Sequence, residues 1–460
     1  MIMETELEGR LPSAFVEYTR RMMGEELFGR FICGMSEPCP NSLRVNKAKM
    51  QDLSQLDTLS SMRQQVPWCD SGYYLAERPN YTFDPLLHAG YYYVQEASSM
   101  FVHSVLRQYI DRPVMMLDMC AAPGGKTTAA IGALPEESIV VSNEPVRQRA
   151  NILAENVQKW GSALHIVTCN YPRDYAKSGL MFDVVLCDVP CSGEGMFRKD
   201  EGAISEWSVA NVEKCSRLQR EIVADAWKCL RPGGILIYST CTYNIKENEE
   251  NVRWISEELG ADVLPVEIGE GWGITGSLLE GFALPVFRFI PGVSRGEGLF
   301  MAVLRKTDDD AAANRRMKPS RLKTAKFEHQ WLINQDDYCI YTHKDRYIAV
   351  PRQMADIYAV ACQSLNVVSA GVTLGEQKGR DIVPHQSLAL STALHTDAFP
   401  CVELTYEQAI SYLRKETIVL DDGVERGFVI VKYKNAPLGF VKNIGNRANN
   451  LYPQEWRIRN

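Results

Sequence analysis

From residue 113 to residue 304 the chain alternates short apolar, β-branched runs with amphipathic stretches, and this alternation permits few folds. Residues 113–119, 138–144, 164–168, 182–188 and 233–238 read as strands, separated by helices at 145–160 and from about 212 to 230. Runs at 284–290 and 299–304 close the series. Strands alternating with helices build a parallel sheet covered by helices. In such a sheet ligands bind outside the carboxyl ends of the strands, so the residues that terminate the strands are the candidates for chemistry.

Three strand ends are unusual. The run 182–188 stops at Asp188 and is followed by Val189-Pro190-Cys191-Ser192-Gly193. The run 233–238 is followed by Ser239-Thr240-Cys241-Thr242, so neighbouring strands would bring one carboxylate and two thiols together. The run 113–119 passes into Cys120-Ala121-Ala122-Pro123-Gly124-Gly125-Lys126-Thr127, where small residues and glycines let the backbone approach a ligand ahead of a helix N-terminus. A phosphate loop of the Gly-x-x-x-x-Gly-Lys-Thr type fails by one residue, because its first glycine would have to stand at Cys120. Glu144 ends the second strand about 20 residues past the glycines, the place where nucleotide-binding sheets hold a ribose.

Composition excludes several classes. Thirteen cysteines without a Cys-x-x-Cys pair, and seven unclustered histidines, predict reduced thiols and no metal site. The first residues lack a basic start and an apolar core, and no run approaches the ~20 apolar residues of a membrane span, so a cytoplasmic protein is expected. A net charge of −7 argues against indiscriminate polyanion binding, and a nucleic-acid partner would need local basic patches.

The flanks differ from the centre. Residues 1–92 open with Phe15, Tyr18, Met22, Leu27 and Phe31 at helical spacing and hold a short strand at 41–46, on which Arg44 reads from spacing alone as an outward, solvated arginine. Residues 307–326 have linker composition, with a boundary expected near 315. Short β-like runs follow from about 327 and end in two hairpin-like strands at 427–433 and 437–441. In the last thirty residues Lys432, Lys434, Lys442, Arg447, Arg457 and Arg459 alternate with Tyr433, Phe440, Tyr452 and Trp456. That mixture suits stacking and phosphate contacts on folded RNA, and equally a solvated basic surface.

The order of motifs at 117–127, 143–144, 188–197 and 239–242, with Arg44-Val45-Asn46 and Gln95-Glu96-Ala97-Ser98-Ser99-Met100 upstream, resembles the Sun-type RNA cytosine-5 methyltransferases over about residues 93–306. Gly193-Glu194-Gly195-Met196-Phe197, Pro437-Leu438-Gly439-Phe440 and Tyr452-Pro453 are most similar to the bacterial RsmF-type branch, which acts on 16S rRNA. The resemblance implies a Rossmann-like S-adenosylmethionine-dependent methyltransferase sheet at 93–306, an N-terminal α+β RNA-binding unit at 1–92, an intermediate domain at 327–400 and a PUA-like RNA-binding domain at 401–460. It implies Cys241 as the nucleophile, Cys191 as the residue assisting release, Asp188 on nitrogen 3 of cytosine, and Lys126 as the nearby charge favouring a thiolate. In DNA cytosine methyltransferases the Pro-Cys thiol, here Cys191, is the nucleophile instead. The cofactor loop would be Cys120, Ala121, Ala122, Pro123, Gly124, Gly125 and Lys126, with Glu144 on the ribose. Asn170, standing where the family often has an acid, would accept from the adenine amino group, and Asp188 also borders the cofactor. The expected partner is 16S rRNA or the small ribosomal subunit, met by a monomer without metal or membrane. The alternatives are the same chemistry on tRNA, or a non-catalytic RNA-binding assembly factor. The C-terminal unit is expected to supply RNA affinity rather than chemistry.

Overall fold

Alternating side chains on the central strands decide how the chain is layered. A computed structural model describes residues 9–50, 53, 62–307 and 322–459; the charged linker expected at 307–326 lies mostly outside these residues. On strand β5 (Met115–Asp118), Met115 and Leu117 enter one apolar core, and Met116 enters another on the opposite face. The same division holds on β8 (Phe182–Asp188), with Val185 and Cys187 on one side and Val184 and Leu186 on the other. Strands covered on both faces read as continuous apolar runs.

These strands belong to a nine-stranded sheet ordered β10-β12-β9-β8-β5-β6-β7-β15, with β11 paired to β12. Its other members are β6 (Ile139–Asn143), β7 (His165–Thr168), β9 (Leu230–Thr240), β10 (Ala261–Leu264), β11 (Phe287–Phe289), β12 (Leu299–Lys306) and β15 (Val367–Ala370). Strands β9, β8, β5, β6 and β7 are parallel, whereas β12 and β15 run antiparallel at the two sides. The order reverses between β5 and β8, which makes their carboxyl ends the switch-point crevice of a Rossmann-like sheet.

The N-terminal unit is a helix, Ser13–Ser36, broken at Gly24 (φ 73), and a sheet ordered β2-β3-β1-β4 from β1 (Ser42–Val45), β2 (Met62–Gln65), β3 (Gly72–Leu75) and β4 (Tyr92–Val94). The helix buries Phe15, Phe28 and Phe31 against Phe197, Trp207 and Tyr243, which lie around the two cysteine-bearing loops. Toward the C-terminus, β13 (Tyr338–His343), β14 (Arg346–Pro351), β16 (Val372–Lys378) and β17 (Asp381–Pro384) form one sheet. A last sheet holds β18 (Cys401–Glu403), β19 (Gly427–Tyr433), β20 (Ala436–Asn443) and β21 (Ala448–Asn450).

Two expectations change here. The central sheet does not end with residue 306, because β15 pairs with β7 and the core around Tyr175 and Leu180 also takes in Tyr341, Val350, Met354 and Tyr358. The aromatic residues of the last thirty are not all available for stacking on RNA. Phe440 packs on Phe399 at 4.9 Å and Tyr452 on Tyr412 at 5.3 Å, both buried, while Tyr433 and Trp456 stay partly exposed. Inward positions on β20 must be apolar to fill that sheet's core, which overrides a reading by composition. No described helix is long and apolar enough to cross a membrane.

Candidate active site

The sheet brings the two cysteines together. Asp188 stands opposite Ser239 in the register of β8 and β9, so the loops after these strands leave side by side. Cys191 Sγ lies 3.0 Å from Cys241 Sγ, and the Gly195 amide donates to the Cys241 carbonyl at 2.8 Å. A Cβ on Gly195 would come within 2.6 Å of that carbonyl oxygen, so this close approach requires glycine. The hydrogen bond to Cys241 and burial push the Cys191 thiol well above its ordinary pKa. Either sulfur could be the donor in this contact.

Asp188 is fixed from two sides. Lys126 Nζ donates to Oδ2 at 2.8 Å and Ser239 Oγ to Oδ1 at 2.7 Å. Burial works against the Lys126 charge, but attraction to Asp188 and the hydrogen bond outweigh it and raise its pKa; an ionised Cys241 adds to the attraction. A carboxylate, an ammonium group and two thiols thus share one crevice.

Cys120, Ala121, Ala122, Pro123, Gly125, Lys126 and Asp188 line a cavity of about 220 Å3, with Tyr93, Gln95 and Asp118 across from them. Gly124 caps the following helix, Gly125–Ala133, with φ 114, a left-handed conformation that favours glycine. Gly124, Glu144, Asn170, Cys191 and Cys241 do not line this cavity. Glu144 is 2% exposed at the end of β6, where Oε1 accepts from the Val146 amide at 3.0 Å and Oε2 pairs with Arg149 at 3.2 Å. Asn170 Oδ1, the atom expected to meet an adenine amino group, already accepts from the Asn366 amide at 2.8 Å. The Cys169 amide donates to the Asn366 carbonyl at 2.9 Å, so this loop is tied to the segment leading into β15.

Several residues went unread in the sequence. Asp118 is fully buried; Oδ2 accepts from Thr127 Oγ1 at 2.6 Å and Oδ1 has no protein partner. Burial, reinforced by Asp188, pushes its pKa up to about 7. An orphaned carboxylate oxygen beside a ligand cavity is a position for a cationic group. Glu194 and Glu247 are buried behind the cysteine loops: Glu194 Oε2 accepts from the Tyr243 and Asn244 amides at 2.7 and 3.0 Å, and Glu247 Oε2 from the Ser192 amide at 3.0 Å. Asn244 Nδ2 donates to both carboxylates, at 2.9 and 2.8 Å. Burial and Glu194 together raise Glu247 to about 7. The polar run 242–248 directly after Cys241 was the available signal.

Arg44 corrects an expectation outright. It is 1% exposed: Nε donates to Gln95 Oε1 at 2.8 Å, Nη1 to the Thr128 carbonyl at 3.2 Å, and Nη2 to Thr128 Oγ1 at 2.6 Å, with Trp160 4.4 Å away under the guanidinium. Burial lowers its pKa to about 10, which leaves it charged. Carbonyls and a ring face replace the water that a strand arginine ordinarily keeps. Among the described residues no cluster of three or more His, Cys, Asp or Glu side chains could hold a metal.

Three family models match the chain: "16S rRNA methyltransferase RsmB/F" at residues 110–305, "N-terminal domain of 16S rRNA methyltransferase RsmF" at 11–97, and "Methyltransferase RsmF PUA domain" at 399–458. The chain is 30% identical to "Ribosomal RNA small subunit methyltransferase F" of Photobacterium profundum, with 97% of each chain covered. It is 31% identical to the protein of that name from Escherichia coli O9:H4, with 96% of each covered. Among solved structures, a methyltransferase homolog protein from Pyrococcus horikoshii superposes with a TM-score of 0.56 at 27% identity, covering 66% of this chain and 98% of that one. NSun6 from Pyrococcus horikoshii, solved with SFG, shares the fold with a TM-score of 0.55 at 21% identity, over 65% of this chain and 99% of its own.

Proposed function

The chain belongs to the RsmB/F family of 16S rRNA methyltransferases, and from that premise we propose that it methylates carbon 5 of a cytosine in 16S rRNA through a covalent adduct on Cys241. Members of this family depend on S-adenosylmethionine, which supplies an electrophilic methyl group. The observation that carries the reading is the pair of thiols 3.0 Å apart beside a carboxylate held by Lys126 and Ser239.

Carbon 5 of cytosine is a poor nucleophile, and adding a thiolate at carbon 6 with a proton at nitrogen 3 makes it an enamine carbon. The Cys241 sulfur forms the bond to carbon 6. Nitrogen 3 takes a proton from solvent and donates it as a hydrogen bond to the Asp188 carboxylate, which Lys126 and Ser239 already orient to accept. After methylation the carbon-5 proton leaves to solvent, the carbon 5–carbon 6 double bond re-forms, the carbon–sulfur bond breaks with its electron pair returning to Cys241, and nitrogen 3 gives its proton back to solvent. The Cys191 thiol, 3.0 Å away, donates a hydrogen bond to the departing thiolate. Glu194, Glu247 and Asn244 hold both loops in place throughout. Every one of these groups comes from one chain, so the reading needs no second copy.

The cofactor fits the residues at the cavity. A cavity of about 220 Å3 falls below the ~300–1,000 Å3 of sites that enclose a whole ligand, which supports binding of one end there. The unpartnered Asp118 Oδ1 suits the ammonium of the methionine end. Glu144 would hold the ribose from its buried position, and Asn170 would border the adenine through its remaining lone pair.

Incubating the protein with methyl-labelled S-adenosylmethionine and either 16S rRNA or tRNA, then digesting to nucleosides, tests the reading. Label in 5-methylcytosine from 16S rRNA is expected. Label only from tRNA would move the substrate, and no label would leave an RNA-binding assembly factor.

The Asp118 carboxyl gives a pH prediction. Its pKa of about 7 in the free protein must fall when a cation binds beside it, so cofactor affinity should rise as pH increases from 6 to 8 and level off above. Asp118→Asn should weaken binding at pH 8 by about tenfold, the scale of one charge-assisted hydrogen bond, and flatten the pH dependence. Calorimetry across that range with an unchanged slope would remove Asp118 from the site.

A further inference from the structure

A second cleft, of about 500 Å3, opens beside the cavity of the candidate site and shares Val94, Gln95 and Glu96 with it. It is lined by Arg78 and Tyr81 from the N-terminal unit and by Arg198 and Lys199. These last two follow the turn Glu194–Met196, whose Gly195 amide is bonded to the Cys241 carbonyl, so the cleft wall is attached to the nucleophile's loop. We propose that this cleft binds the nucleotide next to the target cytosine on a single RNA strand, with Arg78 on its phosphate and Tyr81 and Val94 against its base; this rests on the reading of the site as an RNA methyltransferase.

Charge supports that occupant. On a chain of net charge −7, Arg78 is exposed and has no carboxylate partner among the described residues. Arg198 is bonded to the Gly34 carbonyl at 3.0 Å and the Gly296 carbonyl at 2.7 Å, and its charge also acts on Glu297. Lys199 pairs with Glu297. The Glu96 carboxylate is turned inward, accepting from the amides of Ser98, Ser99 and Glu297 at 2.8–2.9 Å. Arg78 is therefore the basic group at the cleft that has no acidic partner among the described residues. Val94 is 38% exposed and the Tyr81 ring is half-buried, which gives apolar surface of the kind on which unpaired bases stack. The volume lies within the ~300–1,000 Å3 range of small-ligand sites, the size class of a nucleotide. Because the cleft shares Val94, Gln95 and Glu96 with the cofactor cavity, and its Arg198 and Lys199 follow the turn bonded to Cys241, a strand that reached the cysteines would bring a neighbouring nucleotide to it.

The test is filter binding of purified 16S rRNA to the full chain over a range of salt concentrations, with calorimetry of S-adenosylmethionine as the check on folding. Each phosphate contact to a single strand contributes about 0.7 to the slope of log affinity against log salt, which is about fivefold at 0.1 M relative to 1 M. Arg78→Glu should lower the slope by at least about 0.7 and weaken binding about fivefold or more at 0.1 M, with cofactor affinity unchanged. Arg78→Lys should keep the slope. Unchanged RNA affinity and slope in Arg78→Glu overturns the cleft while leaving the methyltransferase reading intact. A wild-type protein with no salt-dependent affinity for 16S rRNA overturns both.

Discussion

Cys191→Ala is expected to accumulate a covalent protein–RNA complex on a denaturing gel after incubation with 16S rRNA and S-adenosylmethionine, and Cys241→Ala is expected to show none. If Cys241 attacks carbon 6, its removal leaves no way to activate carbon 5, and methyl transfer should fall by roughly 10⁴-fold or more, the scale of losing a covalent nucleophile. Removing Cys191 should spare attack and methylation but deprive the departing sulfur of the hydrogen bond that the 3.0 Å contact provides. The opposite assignment makes the opposite prediction, because an attacking Cys191 would trap RNA in Cys241→Ala. A band confined to Cys241→Ala would reverse the two roles. Both side chains are small and sit on loops held by Glu194, Glu247 and Asn244, so neither alanine removes the support of the other cysteine.

Much of the central sheet was legible because its signals are local. An apolar run that ends in an acid, a proline or a glycine marks both a strand and its carboxyl end, and the order of such runs places Asp188, Cys191 and Cys241 near Lys126. What was not legible depends on partners distant in sequence. Nothing around Arg44 announces burial, because its acceptors are the Gln95 side chain and carbonyls and a hydroxyl at Gly125 and Thr128, and its ring is Trp160. Asp118 reads as one more polar strand end until the burial of its free oxygen is seen. The run Val367-Val368-Ser369-Ala370 is too short to assign by periodicity, and its pairing with β7 crosses two hundred residues of chain. Composition misled at Phe440 and Tyr452 because it does not show that Phe440, on β20, and Tyr452, beyond β21, pack into the apolar cores against Phe399 and Tyr412.

That distant pairing changes what removal of the C-terminal part should do. A chain ending at residue 307 would lose β15 from the edge of β7, together with Tyr341, Val350, Met354 and Tyr358 from the core of the central sheet. Burying a large apolar side chain stabilises by roughly 1.5–3 kcal/mol, so even these few amount to about 6–12 kcal/mol, comparable with the ~5–15 kcal/mol that keeps a domain folded. The truncated protein should therefore melt at much lower temperature or fail to fold cooperatively, and should lose cofactor affinity as well as RNA affinity. A milder variant separates local support from global stability. Asn366→Pro removes the amide that donates to Asn170 Oδ1 while leaving the Asn366 carbonyl for Cys169, so it should weaken S-adenosylmethionine binding severalfold with little change in salt-dependent RNA affinity. Calorimetry and filter binding on the two proteins decide the matter. Full cofactor affinity in the truncated chain, with only RNA affinity lost and its salt slope flattened, would make the C-terminal part an RNA-binding appendage. Loss of cofactor affinity in both would make it a structural wall of the methyltransferase site, one that orders the Cys169–Asn170 loop from the edge of the sheet.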